Sequence, residues 1–192
     1  MEIIQLVGTA RTEYGKKQSK ADRTNGLIPC AIYSGDKASH FTITPMEVRD
    51  LVYTPEFKLA QITVGDTSQK CFLKQISFHP VTDKILNIEF QELVPGRKFL
   101  VEIPITTKGI SPGVKAGGKL LQSVRRAKIK CLPESLVNEL SLDISSLELG
   151  QAIRIRDIQP AEGVEIMNPG GTPVAIIEIP RALRSAAAKA GK

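Results

Sequence analysis

A basic, polar stretch near the start of the chain carries the side chains best suited to chemistry, and that chemistry is phosphate binding. Residues 15–26, GKKQSKADRTNG, hold four lysines and arginines, one acid and no apolar side chain longer than alanine. Exposed ammonium and guanidinium groups displace counterions from a polyanion, and a helix N-terminus adds free N–H donors. A solvated surface loop has the same composition, so composition by itself leaves both interpretations open.

Two further segments carry side chains that suit contacts with RNA. Tyr33 ends an apolar run and could stack on a base or a ribose, although a core tyrosine with a bonded hydroxyl fits equally well. In FHPVTDKILNIEF, residues 78–90, a turn containing His79 leads into a strand on which Asn87 and Glu89 share one face. These polar side chains could reach the minor groove of an RNA helix. A half-buried strand with an ordinary wet face is the alternative.

The segment SPGVKAGGKL, residues 111–120, has only part of the pattern of a phosphate-binding loop. Gly113, Gly118 and Lys119 have the spacing G-x-x-x-x-G-K, but Leu120 replaces the Ser or Thr that would hold Mg²⁺. The residues that follow are strand-like, so no helix N-terminus is available for a phosphate. We therefore expect no nucleotide site here and predict a flexible basic loop that contacts RNA or protein.

The sequence shows no local motif typical of catalysis or metal binding. The two histidines, His40 and His79, lie apart, and no cluster of His, Cys and carboxylates or nucleophile elbow accompanies them. We expect a protein that is not an enzyme, with no catalytic residue, metal, cofactor or small-molecule substrate. The three cysteines, Cys30, Cys71 and Cys131, are widely spaced in apolar runs and predict buried, reduced thiols.

Composition bounds the compartment and the partners. The chain has 192 residues and 42% hydrophobic content, which is enough for a substantial core. A formal net charge of +6 favours a polyanionic partner. No run approaches the roughly eighteen apolar residues of a membrane-spanning helix, and the apolar run at the N-terminus is too short for a signal peptide. We expect a soluble, cytoplasmic protein with no membrane partner.

Alternating or β-branched apolar segments predict strands throughout the chain. In the first half the predicted strands cover residues 3–10, 29–33, 40–43, 59–64, 70–78 and 85–93. In the second half they cover residues 99–106, 119–132, 140–145, 152–158 and 173–179. One helix is predicted over residues 44–53, where Thr44 and Glu47 have capping-box spacing. A shorter helix is predicted from Ser19, as the N-cap, to Gly26, as the glycine after the C-cap.

The Pro-Gly step in VPGRK, residues 94–98, indicates a boundary between two small, β-rich domains. We predict domains at residues 1–94 and 95–180 and a flexible basic tail at residues 181–192. Basic and acidic residues balance over residues 1–93, so the whole net charge lies in the second half. Within that half, residues 97–130 carry nine lysines and arginines against one acid.

Taken in order, the segments RTEYGKKQSK, GLIPCAIYSG, FHPVTDKILNIEF and GVKAGGKL resemble a known family. It is the bacterial large-subunit ribosomal protein number twenty-five, in the long two-domain form also called the general stress protein type. The resemblance implies a mainly β fold, with an N-terminal β-barrel, two or so short helices and a second β-rich domain. It also implies a structural role on the ribosome, in which the barrel binds 5S rRNA and the second domain contacts neighbouring ribosomal proteins and rRNA.

The resemblance further implies which residues contact RNA. The family's basic, serine and tyrosine positions fall on Arg11, Lys16, Ser19, Lys20, Arg23 and Tyr33. Asn87 and Glu89 stand where the family has His and Asp. With Lys17 from the basic stretch and His79 from the downstream turn, the predicted RNA-binding set is Arg11, Lys16, Lys17, Ser19, Lys20, Arg23, Tyr33, His79, Asn87 and Glu89.

Departures from the family pattern motivate an alternative hypothesis. The family's strand reads His-Ile-Asp-Phe, whereas residues 87–90 read Asn-Ile-Glu-Phe. Asp22 stands where the family usually has leucine, and we expect it to add a negative charge beside the bound phosphates. The alternative is a stress-associated factor that binds the ribosome or another protein and has weakened 5S rRNA binding.

Overall fold

The computed structural model describes residues 2–35 and 37–180. Its contacts divide the chain into two units, Met1–Arg97 and Lys98–Lys192. The predicted tail at residues 181–192 lies outside the described residues.

Six strands of the first unit close into a barrel. They are β1 (Ile3–Ala10), β2 (Ile28–Ser34), β3 (Lys37–Ile43), β4 (Leu59–Val64), β5 (Thr67–Phe78) and β6 (Ile85–Glu92). Around the barrel the order is β1-β3-β2-β6-β5-β4, and parallel pairing of β1 with β4 closes it. Each predicted strand of the first half is present within a few residues, and the expected N-terminal β-barrel is confirmed.

Alternation along the strands fills the barrel with apolar side chains. The rings of Phe41 and Phe90 are fully buried, with centroids 6.0 Å apart. Cys30 and Cys71 lie in the same core as free thiols, and Cys131 is buried in the second unit. Burial raises the pKa of Cys30 and of Cys71 to about 12, so these thiols stay protonated at neutral pH. The prediction of buried, unpaired cysteines is confirmed.

The first helix, α1 (Lys16–Thr24), begins earlier than predicted. Gly15, with φ of 105°, precedes the helix, and the Ser19 amide donates to the Gly15 carbonyl at 3.0 Å. Ser19 therefore lies inside the helix, and its prediction as the N-cap is wrong. The predicted end is confirmed. Gly26 has φ of 78°, its amide donates to the Arg23 carbonyl, and the next amide donates to the Asp22 carbonyl, which is the Schellman pattern.

The second helix, α2 (Arg49–Val52), covers only the end of the predicted span 44–53. The Glu47 carboxylate accepts from both the amide of Thr44, at 3.1 Å, and its hydroxyl, at 2.7 Å. A capping box needs that hydroxyl to accept a backbone N–H instead, and the segment before Arg49 forms turns. The predicted length is wrong, although Val48 and Leu51 of this segment are buried.

The second unit contains two sheets. Its elements are β7 (Phe99–Lys108), α3 (Pro112–Lys115), β8 (Lys119–Gln122), β9 (Arg126–Cys131), β10 (Leu140–Asp143), β11 (Ala152–Arg154), β12 (Glu165–Ile166) and β13 (Pro173–Glu178). One sheet has the order β10-β7-β9-β12 and the other β11-β13-β8. Short 3₁₀ turns occupy Pro133–Ser135 and Ile155–Asp157.

Two strand predictions in this unit need correction, and one strand was not predicted. The span 119–132 is two strands, β8 and β9, which belong to different sheets. The span 152–158 ends as a strand at Arg154 and continues as a 3₁₀ turn whose first amide donates to the Thr172 carbonyl at 3.0 Å. The two-residue strand β12 was not predicted, because it is too short to show an alternating pattern.

The segment 111–120 is a packed turn, and its prediction as a flexible loop is wrong. Ser111 is 1% exposed and caps α3 by accepting from the amides of Gly113 and Val114. A Cβ on Gly113 would lie 2.7 Å from the carbonyl carbon of Glu148, and one on Gly118 would lie 2.5 Å from Ile177. These two glycines therefore permit close packing. The strand expected after them is present as β8.

Candidate nucleic-acid interface

An open groove of about 280 Å³ lies on the outside of the barrel, where α1 faces β2, β3 and β6. Six predicted RNA-contact residues line it, together with other residues of β2, β3 and β6. The six are Arg11, Ser19, Arg23, Tyr33, Asn87 and Glu89. Guanidinium, hydroxyl, amide and carboxylate groups therefore converge on one surface, which gives it both hydrogen-bond donors and acceptors.

Strand pairing creates the floor of the groove. Strands β2 and β6 run parallel, with Ala31 opposite Glu89 and Tyr33 opposite Gln91. Ile88 and Phe90 point the other way and are fully buried, so Asn87 and Glu89 share the outer face. The prediction that these two polar residues lie on one face of a strand is confirmed. The small side chain of Ala31 leaves space beside them.

Arg23 joins the helix to the barrel. Its Nε donates to the Leu86 carbonyl of β6 at 3.0 Å, and Leu86 directly precedes Asn87 in the sequence. Arg23 is exposed and lines the groove. The same guanidinium therefore fixes α1 against β6 and presents positive charge to the solvent.

Arg11 is held inside the groove wall. Its Nη2 donates to the Ser19 hydroxyl at 3.2 Å and lies 3.0 Å from Asp22 Oδ2. Gln18 Nε2 donates to the other Asp22 carboxylate oxygen at 3.3 Å. Asp22 is 7% exposed. We expected this carboxylate to stand beside phosphates, but it turns inward toward Arg11, because the buried face of α1 carries it.

Two further residues, His40 in the groove and Lys74 beside Tyr33, were not among the predicted contacts. His40 lies opposite Ala31 in the antiparallel register of β2 with β3, and this register brings it to the groove. Its ring packs against Tyr14 with centroids 5.0 Å apart. Lys74 lies at a register shift of β5, and its Nζ is 5.5 Å from the centroid of the Tyr33 ring. The positions of His40 and Lys74 follow from the strand register, which local sequence patterns do not reveal.

The other predicted residues do not line the groove. Lys16, Lys17 and Lys20 are exposed on α1, the helix whose Ser19 and Arg23 line the groove, and these three lysines are called here the basic rim. His79 is part of its own turn, since its Nδ1 accepts from the amides of Val81 and Thr82 at 3.3 Å. That contact gives His79 a structural role in the turn that leads into β6.

Comparison with known proteins agrees with this organisation. The model of the ribosomal L25p family matches residues 6–90, and that of the ribosomal protein TL5 C-terminal domain matches residues 98–181. The chain belongs to the ribosomal L25p family. The homologues are ribosomal proteins, located on the ribosome, which is cytoplasmic in bacteria, and the family is not known to be one of enzymes.

Three relatives illustrate how complete the similarity is. The large ribosomal subunit protein bL25 of Porphyromonas gingivalis is 39% identical over 191 residues, which cover 98% of this chain and 99% of the relative. The protein of the same name from Bacteroides fragilis is 36% identical over 197 residues and all of both chains. That from Amoebophilus asiaticus is 36% identical, over 99% of this chain and 96% of its own. Similarity therefore spans both units of this L25p-family protein.

In the TL5-like unit the basic segment 97–130 is divided between surfaces. Lys119 lies on β8, in one sheet, whereas Arg126, Lys128 and Lys130 lie exposed on β9, in the other. Lys128 Nζ is 3.6 Å from a Glu102 carboxylate oxygen, which offsets part of its charge. The exposed residues of β9 are thus the largest alignment of cations along one described strand of this unit.

The described residues of this L25p-family protein contain no group of three or more His, Cys, Asp and Glu side chains that could hold a metal ion. Among these residues no helix is both long and apolar enough to cross a membrane.

Proposed function

We propose that the protein is a structural constituent of the large ribosomal subunit and that its first unit binds 5S rRNA in the groove beside α1. Lys16, Lys17 and Lys20 neutralise phosphates from the basic rim. Side chains inside the groove contact 2′-hydroxyls and base edges, as expected for recognition across an RNA minor groove. The groups that fix the register are Arg23, Tyr33, Asn87 and Glu89, with Arg11 and Ser19 at the wall and His79 holding the neighbouring turn.

The convergence of six predicted contact residues on one groove carries this proposal. They come from α1, β2, β6 and the end of β1, which are separated by up to several tens of residues in the sequence. A run of charged residues on an ordinary solvated surface would not be surrounded by amide, carboxylate, hydroxyl and aromatic groups. The relatives' name, large ribosomal subunit protein, supports the ribosomal setting.

We further propose that the second unit contacts neighbouring ribosomal components. Support comes from the exposed cations of β9, because phosphate contacts by lysine and arginine dominate the affinity of most protein–RNA interfaces. Arg126 and Lys130 have no ion-pair partner among the described residues, whereas Lys128 is paired with Glu102.

A salt-resolved gel-shift titration with 5S rRNA tests the role of the first unit. Lys16→Glu and Lys20→Glu should each weaken binding. Each should also reduce the magnitude of the slope of log affinity against log salt by about 0.7 to 0.9, the contribution of one phosphate contact. Lys70→Glu is the matched control, since Lys70 is exposed on β5 and does not line the groove. Absence of binding by the unaltered protein at moderate salt, or an equal loss in the control, would contradict the proposal.

Sedimentation through a sucrose gradient separates this role from the alternative of a stress-associated factor. A structural constituent should co-migrate with large subunits from growing cells in about one copy per subunit. A factor present only under stress would be absent from those subunits, and that result would overturn the constitutive role even if 5S rRNA bound in the gel shift.

A further inference from the structure

The ion pair between Arg11 and Asp22 brings into the groove wall a residue, Asp22, that is not among the predicted RNA contacts. We propose that Asp22 is a positioning residue that withdraws the Arg11 charge from the phosphate contact and fixes the guanidinium as part of the groove wall. This inference rests on the RNA-binding function proposed above. Asp22 thereby sets how much of the RNA affinity comes from phosphate charge and how much from the fit of the groove to the RNA.

Both partners are held from several sides. The amide of Arg11 donates to the His40 carbonyl at 3.1 Å, and the Tyr14 hydroxyl donates to the Arg11 carbonyl at 3.1 Å. At the other end of the side chain, Nη2 donates to the Ser19 hydroxyl and lies 3.0 Å from Asp22 Oδ2. Arg11 Nε and Asp22 Oδ2 are themselves buried without a hydrogen-bond partner, so the contact between the two side chains is an ion pair. Asp22 is fixed in turn by Gln18 one helical turn earlier. The pair is therefore preorganised by β3, α1 and the intervening loop.

Burial makes this pair less sensitive to salt than a surface ion pair, and costly to break. The Arg11 and Asp22 side chains are each 10% exposed, and charges that are largely removed from water are screened little by salt. A phosphate that approached Arg11 would meet the Asp22 carboxylate at the same nitrogen. Separating the pair would also leave the aspartate as an uncompensated buried charge, which is costly. Arg11 therefore neutralises no phosphate and displaces no counterion from the RNA.

The groove wall and the basic rim therefore make different contributions to RNA binding. Inside the groove the charge of Arg11 is cancelled by Asp22, so recognition there relies on hydrogen bonds and on shape. The phosphate contacts come from the exposed lysines of α1, which have no acidic partner among the described residues. Asp22 thereby lowers binding to polyanions in general while leaving the geometry of the groove intact.

The test compares two neutralising variants of the full-length protein. Asp22→Asn keeps the size of the side chain and removes its charge, whereas Glu13→Gln makes the same change of net charge at an exposed residue of the neighbouring loop. With 5S rRNA, Asp22→Asn should raise affinity at low salt by severalfold and steepen the salt slope by about 0.7 to 0.9. Glu13→Gln should change affinity by less than about twofold and leave the slope unchanged.

Arg11→Gln in the Asp22→Asn background completes the test. The double variant should lose the slope that Asp22→Asn adds. Arg11→Gln alone is not used, because it would leave Asp22 as an uncompensated buried charge. An added slope that persists in the double variant would overturn the proposal, as would equal slopes for Asp22→Asn and Glu13→Gln. Circular dichroism melts of each variant verify that it folds, and Asp22→Leu, with an apolar side chain at this buried position, replaces Asp22→Asn if that variant does not.

Elution from a heparin column distinguishes failure of this inference from failure of the proposed function. If the unaltered protein does not bind 5S rRNA, the function is wrong. The charge withdrawal still predicts that Asp22→Asn elutes at higher salt than Glu13→Gln. If 5S rRNA binds but the two variants elute together and share one salt slope, Asp22 does not withdraw the Arg11 charge.

Discussion

Gly8 in β1 is the residue whose side chain, or lack of one, most directly controls the packing of the barrel. A Cβ at this position would lie 2.3 Å from Cδ2 of Phe41, well inside van der Waals contact. The Phe41 ring is completely buried and packs against Phe90, so it has no solvent-facing space to occupy instead. The absence of a side chain at position 8 is therefore a packing requirement.

We predict that Gly8→Ala destabilises the first unit by about 1–3 kcal/mol, the usual cost of overpacking a core. Urea unfolding followed by circular dichroism measures this change in the free energy of unfolding. Gly171→Ala is the control, because a Cβ there meets no atom within 4 Å and Gly171 does not have a positive φ. A loss for Gly8→Ala no larger than the control's would show that the Phe41 ring can move aside.

The site residues show how far residue-level reasoning from the sequence can reach. Asn87 and Glu89 were placed on the correct face because alternation alone fixes it. The position of Asp22 was judged from its charged neighbours in sequence, but its direction depends on which face of α1 is buried. His40 was overlooked as an RNA-site residue because its position depends on pairing with β2.

Among the elements, α3 depends most on a single cap. Ser111 has an extended backbone conformation and accepts from the amides of Gly113 and Val114, at 3.1 and 3.4 Å. Its own hydroxyl donates to the Leu147 carbonyl. Since the hydroxyl is buried, water does not replace it readily when it is lost. The one-turn helix and the start of β8 are thus tied to the segment that contains Leu147.

Ser111→Ala should therefore lower the free energy of unfolding of the second unit by about 1–2 kcal/mol. Thermal or urea unfolding measures the loss. Ser123→Ala is its matched control, since Ser123 is exposed and none of its side-chain contacts is described; it should change stability by less than about 0.5 kcal/mol. Equal stability of the two variants would mean that the cap contributes nothing.

At this scale the strands were predictable and the element ends were not. Alternating segments and short apolar runs rich in β-branched residues identified the strands of the barrel. The start of α1 depends on the backbone of Gly15, which propensity ranks below a serine cap. The division of residues 119–132 into β8 and β9 depends on their joining different sheets, and both pieces have strand-like composition.

For the whole molecule, the decisive features are pairings between distant parts of the sequence. The parallel pairings of β1 with β4 and of β2 with β6 close the barrel and build the groove. No local pattern specifies a parallel partner, so the groove could be anticipated only through family resemblance. Once the pairing is known, the outer faces of β2 and β6 necessarily lie side by side, and the polar residues of both strands become one surface.

The charge of the second unit gives the last prediction. Arg126 and Lys130 are exposed on β9, where their side chains share one face with Lys128. If this strand contacts rRNA, the double variant Arg126→Gln/Lys130→Gln should dissociate from large subunits at lower salt, with a slope reduced by up to about 0.9 per lost phosphate contact. Binding of free 5S rRNA should remain unchanged, because the groove beside α1 is intact.

Lys128→Gln serves as the control for that experiment. Its charge is already opposed by Glu102 at 3.6 Å, so its loss should lower the salt slope for large-subunit binding by less than half as much. If Lys128→Gln lowers the slope by half as much as the double variant, charge pairing on β9 does not govern the contact. If neither the double variant nor the control changes the salt slope, the second unit reaches its ribosomal neighbours through another face, and a protein neighbour becomes the better account of its partner.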